Sequence, residues 1–315
     1  MNRREFMART GILAGAACMA KPADPLNRTT SPLDRFKLGA TSDGLSQDFE
    51  YALKIMKNYG LSWVEIRVVW GKYNTEATAE QVRRIKDLLD QYQFKCSIVD
   101  SAVFKCTLPG TKPLGNGKDV YPYSQQMDLL KRAIDRAHAW GTDKVRIFSF
   151  WRVDKPRDVA GPIQEEIQKA AEVSRAAGIR LAIEEEPSCN VATGRELAEL
   201  LRTLPGNVGA NWDVGSGLWL GEVPYPDGYL NLEPRRVWNL HLKGVKCGAN
   251  FTDCDETFAD QGQIDLMGQL RALLKDGYQE TLSVECEFKA PGLSQIETTR
   301  RAVEAVLKVA GAAVS

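Results

Sequence analysis

Short apolar segments alternate with amphipathic stretches along most of this chain, and this alternation restricts the fold more than any other sequence feature. Apolar residues recur three and four positions apart in seven helix-like stretches: 47–59, 79–92, 124–140, 162–177, 193–204, 264–275 and 294–310. Eight strand-like runs separate them: 36–40, 63–69, 95–100, 144–150, 179–185, 208–213, 237–243 and 281–287. This order predicts an α/β fold, a (β/α)8 TIM barrel in a single domain.

A doubly wound open sheet also alternates strands with helices, but no GxGxxG motif follows the first strand. Four of the helix-like stretches are followed by a glycine, as expected of helix C-caps: Gly60, Gly141, Gly178 and Gly277. The helix expected after the sixth strand is missing, because residues 214–229 resemble a loop. Long βα loops lie on the catalytic face of a barrel, so we expect residues 214–236 to shape a substrate pocket and residues 106–120 to form a lid.

The charges of the chain balance, since 41 Lys and Arg residues stand against 41 Asp and Glu residues in 315. A neutral protein has no long-range field to attract nucleic acid or an anionic membrane, so no nucleic-acid partner is expected. The hydrophobic fraction of 43% is enough for a large buried core. The composition favours a small uncharged or weakly charged partner and leaves a homo-oligomer open.

The N-terminus carries the signature of a twin-arginine export signal, although a plain basic terminus is an alternative. Arg3 and Arg4 precede a mildly apolar run at 11–20, which is too short to span a bilayer. We interpret residues 1–23 as a signal peptide, 24–35 as a linker and 36–312 as the catalytic barrel. This interpretation implies the Tat export machinery as a partner, a periplasmic location and no stable membrane span after cleavage.

The cysteines are compatible with an oxidising compartment. Six of them follow the predicted signal peptide, and no pair has the spacing of a CxxC motif or a zinc finger. Cys247 and Cys254 lie in one loop and are the best candidate pair for a disulfide. Buried free thiols fit the sequence equally well.

Four strand-like runs in the C-terminal half end in an acidic or imidazole side chain. We call the residues that carry these side chains the four strand-end residues: Glu184, Asp213, His241 and Glu285. The C-terminal ends of barrel strands converge on the mouth, so strands five to eight would bring these side chains together. Oxygen and nitrogen ligands without a thiolate favour an open site for Mn²⁺, Mg²⁺, Co²⁺ or Zn²⁺ over a closed structural zinc site. Taken singly, each carboxylate also fits a helix cap or an arginine pair.

Short motifs spread over residues 36–310 carry a family resemblance: Gly60-Leu61-Ser62-Trp63-Val64-Glu65, Val145-Arg146-Ile147-Phe148-Ser149-Phe150, Ile183-Glu184, Trp212-Asp213, His241-Leu242-Lys243, Gly262-Gln263-Ile264-Asp265, Gly277-Tyr278 and Ser283-Val284-Glu285. In these motifs the chain resembles the xylose isomerase-like barrel superfamily of sugar phosphate isomerases and epimerases. That group includes ketose 3-epimerases, inosose isomerases and dehydratases, and class II apurinic endonucleases.

The resemblance to the epimerase-like members implies that the four strand-end residues bind one divalent ion. It also implies that Glu184 and Glu285 face each other across the substrate as catalytic acid and base. One would remove a proton beside a carbonyl and the other would return it from the opposite face. Glu186 and Glu287 follow two residues later on the same strand faces, so either is the ligand if the register is shifted by one pair.

Further pocket candidates lie near the strand ends. Residues proposed to contact substrate oxygens or form the rim are Lys243, Lys105, Arg146, Glu186 and Glu287. Aromatic residues proposed to stack on a sugar ring are Trp151 and Trp219, together with Trp70 and Phe148. Glu65 and Arg67 share the inward face of the second strand, where an ion pair between them is as well supported as substrate contact.

The sequence departs from the resembled family in two respects. The common His-x-Lys-Asp continues here as His241-Leu242-Lys243-Gly244, which removes a carboxylate. Export is also unusual for isomerases of phosphorylated intracellular sugars, and the chain has no glycine-rich phosphate cradle. We therefore expect a free keto-sugar, polyol or glycoside as the small-molecule carbohydrate substrate.

The expected activity is a metal-dependent isomerisation or epimerisation through an enediolate. The close alternative is a lyase, dehydratase or hydratase that acts on 3-keto-glycosides or related oxidised sugars by β-elimination in the same site. A non-catalytic sugar-binding protein is an alternative of another class. A DNA-repair phosphodiesterase shares the barrel, but its three metals require more histidine ligands than the two histidines of this chain provide.

Overall fold

The structure is a computed structural model that describes residues 31–115 and 117–315. The predicted signal peptide at 1–23 and most of the predicted linker lie outside the described residues. Eight strands form the centre of the fold: β1 (Lys37–Thr41), β2 (Trp63–Ile66), β3 (Lys95–Asp100), β4 (Lys144–Ile147), β5 (Arg180–Glu184), β6 (Val208–Asp213), β7 (Val237–Leu242) and β8 (Thr281–Val284). They are parallel and close into a barrel in which β8 pairs with β1. The predicted (β/α)8 barrel is confirmed.

Seven longer helices surround the barrel: α1 (Phe49–Asn58), α2 (Ala79–Tyr92), α3 (Gln126–Trp140), α4 (Ala160–Ala176), α5 (Gly194–Leu201), α6 (Leu266–Lys275) and α7 (Gln295–Val314). Single-turn helices at Pro32–Arg35 and Ser42–Leu45 flank β1. Within the described part of the chain, no helix is both long enough and apolar enough to cross a bilayer.

Short helical turns replace the helix that the sequence lacks after β6: Ser216–Leu220, Pro224–Gly228, Tyr229–Asn231 and Pro234–Arg236. Other single turns lie in the remaining loops: Asn74–Glu76, Tyr123–Gln125, Pro156–Val159 and Ala249–Phe251. The segment after β6 is therefore ordered into turns rather than one regular helix.

Helix α2 shows why the amphipathic stretches become helices. The Thr78 hydroxyl accepts a hydrogen bond from the Gln81 backbone N–H, and the Gln81 side chain accepts one from the Thr78 N–H, which forms a capping box. One face of the helix is buried through Val82, Ile85, Leu88 and Leu89. Burial of each such side chain contributes about 1.5–3 kcal/mol. The four predicted C-cap glycines have φ between 71° and 75°: Gly60, Gly141, Gly178 and Gly277.

Three strands end three residues earlier than their strand-like runs predict: β2, β4 and β8. The β2–β3 ladder shifts register between Val64 and Ile66, and Val68–Val69 then pairs with Lys72–Tyr73 in a separate hairpin. After β4, the backbone N–H groups of Phe148 and Phe150 donate to carbonyls of the loop that follows β3 instead of continuing the barrel ladder. The residues beyond β2 and β4, 67–69 and 148–150, stay buried or partly buried after they leave the barrel ladder.

A second hairpin follows β7 directly, and we call residues 244–257 the disulfide hairpin. Gly244–Lys246 pairs antiparallel with Asp255–Thr257, and a disulfide joins Cys247 to Cys254. The candidate pair from the sequence is therefore bonded. The other cysteines of the described residues are buried free thiols: Cys96, Cys106, Cys189 and Cys286.

Candidate metal centre

The four strand-end residues meet at the mouth of the barrel. Glu184 and Asp213 end β5 and β6, His241 lies one residue before the end of β7, and Glu285 follows β8 directly. The strand register places His241 beside Asp213 on one side and Ser283 on the other. All four side chains are buried, and one donor atom from each lies within 4.8 Å of the others. Four consecutive strands thus deliver two glutamates, one aspartate and one histidine to one point.

His241 forms the centre of this cluster. Its Nδ1 atom lies 3.0 Å from Glu285 Oε2, 3.3 Å from Glu184 Oε1 and 3.8 Å from Asp213 Oδ2. Although Nδ1 is buried, it makes no hydrogen bond to any described residue. A divalent cation satisfies such an arrangement, because it accepts a lone pair from the ring nitrogen and from each carboxylate. The residues present therefore fit a divalent metal ion.

The opposite ring nitrogen fixes the orientation of the imidazole. His241 Nε2 lies 2.7 Å from Glu65 Oε1 on β2, and Asn239 Nδ2 donates to Glu65 Oε2 at 2.9 Å. A carboxylate at Nε2 favours the tautomer that carries its proton there. In the neutral ring, Nδ1 is then the nitrogen with the lone pair, and it faces the three carboxylates.

Charge in the cluster is balanced between the ring and the carboxylates. Burial alone lowers the pKa of His241, but the carboxylates of Glu285, Glu65 and Glu184 raise it well above its ordinary value. Burial raises the pKa of Glu285, while His241 and Lys243 bring it well below the ordinary range. A cation on Nδ1 takes the place of a ring proton, so binding of the cation should release a proton.

Each carboxylate of the cluster turns one oxygen toward Nδ1 and anchors the other. Glu184 Oε2 accepts from Arg146 Nη1 at 2.8 Å, and Glu285 Oε1 accepts from Arg67 Nη1 at 3.0 Å. Asp213 Oδ1 accepts two backbone N–H groups of the loop that follows it, at 2.8 and 3.2 Å. Charge-assisted bonds of this kind hold the inward oxygens in place.

The second glutamate of each strand end lies farther out. Glu186 pairs with Lys105 at 2.7 Å, and the half-exposed Glu287 pairs with Arg67 at 2.5 Å. Neither belongs to the group of four whose donor atoms converge. The geometry therefore places the first glutamate of each pair in the cluster and the second at its rim.

A cavity of about 390 Å³ opens onto the cluster. Most of the predicted pocket residues line it: Lys105, Arg146, Phe148, Glu186, Trp219, Lys243 and Glu287. Arg146 is nevertheless engaged within the protein, since it pairs with Asp100 at 3.1 Å as well as with Glu184. The cavity has the size of a small-molecule site and polar groups on several sides.

The sequence does not mark several lining residues, among them Asp43, Tyr73 and Glu256. Asp43 lies two residues beyond β1, so the strand-end rule that found the cluster could also have found it. Glu256 lies on the disulfide hairpin, 15 residues beyond His241, and no local pattern marks it. Its place depends on how the hairpin folds back over the barrel mouth.

For Glu65 and Arg67 the sequence left an ion pair and substrate contact open, and the ion pair is not formed. Glu65 binds His241, while Arg67 binds Asp43 and Glu285 and lines the cavity. The predicted pocket residue Trp151 is buried and does not line the cavity.

The indole of Trp151 lies beneath the loop predicted as a lid. Trp151 Nε1 donates to Asp119 at 2.8 Å, and the same carboxylate accepts from the Thr107 backbone N–H at 2.9 Å. The loop is thus fastened to the tryptophan, which explains why this aromatic ring is not presented to a ligand.

A larger cavity of about 540 Å³ lies between α4, α5 and the segment after β6. Its lining includes residues of the outer helices, Leu220 to Val223 and Phe251 of the disulfide hairpin, whereas Ser216 and Trp219 line the smaller cavity. The segment after β6 therefore contributes to both. The chemistry of the four strand-end residues, not the size of the cavity, marks the smaller one as the candidate site.

A family model described as xylose isomerase-like TIM barrel matches residues 53–308. No curated protein matches the sequence significantly. Among solved structures, the IOLI protein with a bound zinc atom superposes with a TM-score of 0.70 at 18% identity, over 89% of this chain and 98% of that one. A D-tagatose 3-epimerase-like protein gives 0.66 at 15% identity, over 89% and 100%.

The probable 3-DHS dehydratase AsbF of Bacillus anthracis, involved in petrobactin synthesis, gives a TM-score of 0.65 at 12% identity, over 85% of this chain and 98% of that one. At these identities the three superpositions show a shared fold. The family model covers most of the chain and includes the strands that carry all four strand-end residues. The chain therefore belongs to the xylose isomerase-like TIM barrel family.

Proposed function

We propose that this protein is a divalent-metal-dependent isomerase or epimerase of a free keto-sugar, polyol or glycoside. The observation that carries the proposal is the buried Nδ1 of His241, which faces three anchored carboxylates at the barrel mouth. The zinc atom in the IOLI structure and the name of the epimerase-like neighbour support the same reading. Mn²⁺ is the proposed ion, and Mg²⁺, Co²⁺ and Zn²⁺ are alternatives that the donor set also accommodates.

The four strand-end residues would hold the ion. As a Lewis acid, the ion would increase the acidity of the substrate C–H that lies between a carbonyl and its neighbouring hydroxyl. Glu184 and Glu285 come from β5 and β8, the outer two of the four strands. One carboxylate removes the proton from the substrate carbon, and the other returns it from the opposite face. Arg146 and Arg67 keep both carboxylates oriented, so little reorganisation is needed when the proton moves.

The rim supplies the groups that would bind the rest of the substrate. Lys105 Nζ lies 4.4 Å from the centre of the Phe148 ring and 2.7 Å from Glu186, and all three line the cavity. An ammonium beside an aromatic face suits a sugar, which has hydroxyl oxygens on its edge and C–H groups on its faces. No glycine-rich phosphate cradle accompanies these groups in the sequence, which supports an unphosphorylated substrate.

A lyase of oxidised sugars is the second candidate. The Lys105–Glu186 pair favours it, because a charged ammonium in the cavity wall is placed to give a proton to a departing β-substituent. The dehydratase among the structural neighbours supports the same chemistry on this fold. Both reactions begin with the same proton abstraction, so one experiment tests both.

The experiment incubates Mn²⁺-loaded protein with a panel of ketoses and 3-keto-glycosides in D₂O and follows them by NMR. We expect deuterium at the carbon beside the carbonyl, with either an epimer or an elimination product. Glu184→Gln and Glu285→Gln should each lower this exchange by at least about 10²-fold, because each removes a proton-transferring group. Glu172→Gln, an exposed change on α4, is the matched control and should exchange at the wild-type rate.

The possible outcomes separate the functional classes. Deuterium exchange at the wild-type rate in both Glu184→Gln and Glu285→Gln would contradict the proton-transfer mechanism. Sugar binding without any exchange in saturating Mn²⁺ would point to a non-catalytic binding protein. Elemental analysis adds a further check, since three metal ions per chain instead of one would favour phosphodiester chemistry.

We also propose that the protein is exported through the twin-arginine pathway to the periplasm. Arg3 and Arg4 motivate the proposal, and the bonded Cys247–Cys254 pair supports an oxidising compartment. Changing both arginines to lysine should leave the protein in the cytoplasm with its signal uncleaved. Cell fractionation and the mass of the N-terminal peptide would show this, and normal export of the double-lysine variant would contradict it.

A further inference from the structure

Lys243 already occupies part of the space that a divalent ion would use. Its Nζ atom lies 2.7 Å from Asp213 Oδ2 and 2.7 Å from Glu285 Oε2. These are the same two carboxylate oxygens that face Nδ1 of His241. The Lys243 side chain is only 7% exposed, so its charge is balanced by protein groups rather than by water. An ammonium and a divalent ion on the same two oxygens would repel each other at short range.

Glu256 offers Lys243 a third partner. Its Oε1 atom lies 3.4 Å from Lys243 Nζ, while its Oε2 atom accepts the backbone N–H of Glu287 at 3.0 Å. The hydrogen bond at Oε2 fixes the carboxylate, so Oε1 faces the ammonium. A movement of Nζ by about 0.6 Å would give a full ion pair of roughly 2.8 Å.

The disulfide hairpin exists at the point where this sequence departs from His-x-Lys-Asp. At Gly244, an added Cβ would lie 2.4 Å from the carbonyl oxygen of Phe258, so an aspartate cannot occupy this position without moving the backbone. The hairpin instead brings a carboxylate from its second strand, where Glu256 pairs with Val245. The Cys247–Cys254 bond closes the turn between the two strands.

We infer that Lys243 and a divalent ion are alternative partners of Asp213 and Glu285, and that Glu256 receives the ammonium when the ion binds. Glu256 is then a positioning residue: it holds Lys243 at the edge of the centre, where the ammonium faces the cavity and can donate to a substrate oxygen. The inference rests on the proposed function only in that a divalent ion binds the four strand-end residues. It assigns a role to the hairpin that the barrel alone does not provide.

Calorimetric titration of Mn²⁺ into four proteins tests the inference: wild type, Lys243→Met, Glu256→Gln and the double variant. Glu256→Gln should weaken Mn²⁺ binding by about 10-fold, as loss of a group just outside a metal centre commonly does. Lys243→Met should bind Mn²⁺ at least as tightly as wild type. In the Lys243→Met background, Glu256→Gln should change the affinity by less than about 2-fold, because no ammonium remains to be moved.

A direct effect of the Glu256 charge on the ion makes the opposite prediction. Glu256→Gln would then weaken Mn²⁺ binding by the same factor with or without Lys243. This result would contradict the exchange of Lys243 for the ion. Asp255→Asn removes an exposed charge from the same strand and serves as the matched control, with wild-type affinity expected. If Lys243→Met does not fold, Lys243→Gln replaces it in the same four-protein comparison, since it changes the polarity of the side chain less.

Failure of the proposed function gives a different result. If wild type binds no Mn²⁺, or if Glu184→Gln binds as tightly as wild type, the four strand-end residues are not the metal site and both proposals fall. If wild type binds Mn²⁺ through these residues but the cycle shows no coupling, only the exchange of Lys243 falls. Neither reading depends on a turnover assay.

Discussion

At the scale of single residues, the candidate centre depends on which atom of each side chain is left free. Glu65 accepts from Nε2 of His241, and Arg146 and Arg67 each hold one oxygen of a cluster glutamate. Of the remaining atoms, His241 Nδ1 makes no hydrogen bond to a described residue, while the inward oxygens of Asp213 and Glu285 pair with Lys243. Residues outside the group of four therefore decide how the ligand atoms are presented.

Glu65 gives the sharpest prediction at this scale. In Glu65→Gln, the amide can donate to Nε2, which favours a proton on Nδ1 and blocks the ligand atom. We expect Mn²⁺ affinity to fall by about 10- to 100-fold while the fold is retained. Titration calorimetry measures the affinity, and ¹⁵N NMR of the imidazole reports which nitrogen carries the proton.

Glu65→Asp provides the matched control, because it keeps the carboxylate and should recover part of the affinity. An unchanged affinity in Glu65→Gln, or an unchanged tautomer, would contradict the role assigned to Glu65. Loss of affinity with the native tautomer would also contradict it, since the effect would then arise from packing alone.

At the scale of elements, the disulfide hairpin is the feature that a bare barrel would lack. It follows β7 directly and carries Glu256 to Lys243. The closed loop is short, so the bond contributes about 2 kcal/mol to the local stability of the hairpin in the chain-entropy model. The position of Glu256 should therefore depend on the oxidation state of Cys247 and Cys254.

Replacing both cysteines with serine should loosen the hairpin without unfolding the barrel. Amide hydrogen exchange within residues 244–257 should become faster by roughly 30-fold, which corresponds to the loss of about 2 kcal/mol. Exchange in the β5 and β6 strands should not change. The internal control is a reducing agent, which should speed exchange in the wild-type hairpin and have no effect on the variant; equal exchange in all samples would refute the prediction.

At the scale of the whole molecule, an ion network closes the end of the barrel opposite the candidate centre. Glu280, just before β8, binds Lys144 Nζ at 2.8 Å and Arg180 Nη1 at 2.9 Å. Lys144 and Arg180 begin β4 and β5, and β4 lies four strands from β8 in the barrel order. The network therefore joins opposite walls of the barrel.

The stability from this network should depend on pH. Burial raises the pKa of Glu280, but Arg180 and Lys144 bring it below its ordinary value. The pKa of Glu280 is lower in the folded protein than in the unfolded chain, where a glutamate has a pKa of about 4.3. The ionised carboxylate therefore stabilises the protein fully above this pH, and the stabilisation is lost as the pH falls through the folded-state pKa. Glu280→Gln should thus cost about 1–2 kcal/mol at pH 7 and much less near pH 3.

Urea unfolding of wild type and Glu280→Gln at several pH values measures the difference. Glu172→Gln, exposed on α4, is the matched control and should show no comparable dependence. A difference that stays constant or grows as the pH falls would show that the charge of Glu280 is not the stabilising element.

Much of the fold could be predicted because the relevant signals are local. The spacing of Val82, Ile85 and Leu89 marks one face of a helix, and glycines such as Gly141 mark helix ends. The strand boundaries are less accurate: the sequence predicts one strand over 63–69, but the ladder shifts register after Val64 and β2 ends at Ile66. Apolar residues mark burial, and burial continues beyond the end of the hydrogen-bonded ladder.

Residue patterns along the chain are enough to predict the barrel and the strand ends that carry the candidate ligands, because strand and helix periods are local and the C-terminal ends of parallel barrel strands lie at one end. The groups that surround these ligands follow from the three-dimensional fold alone. Glu65 reaches His241 across 176 positions, and Arg67 reaches Glu285 across 218. Glu256 reaches Lys243 only through the turn that Cys247 and Cys254 close. Such contacts depend on register and loop path, and no residue spacing along the chain encodes them.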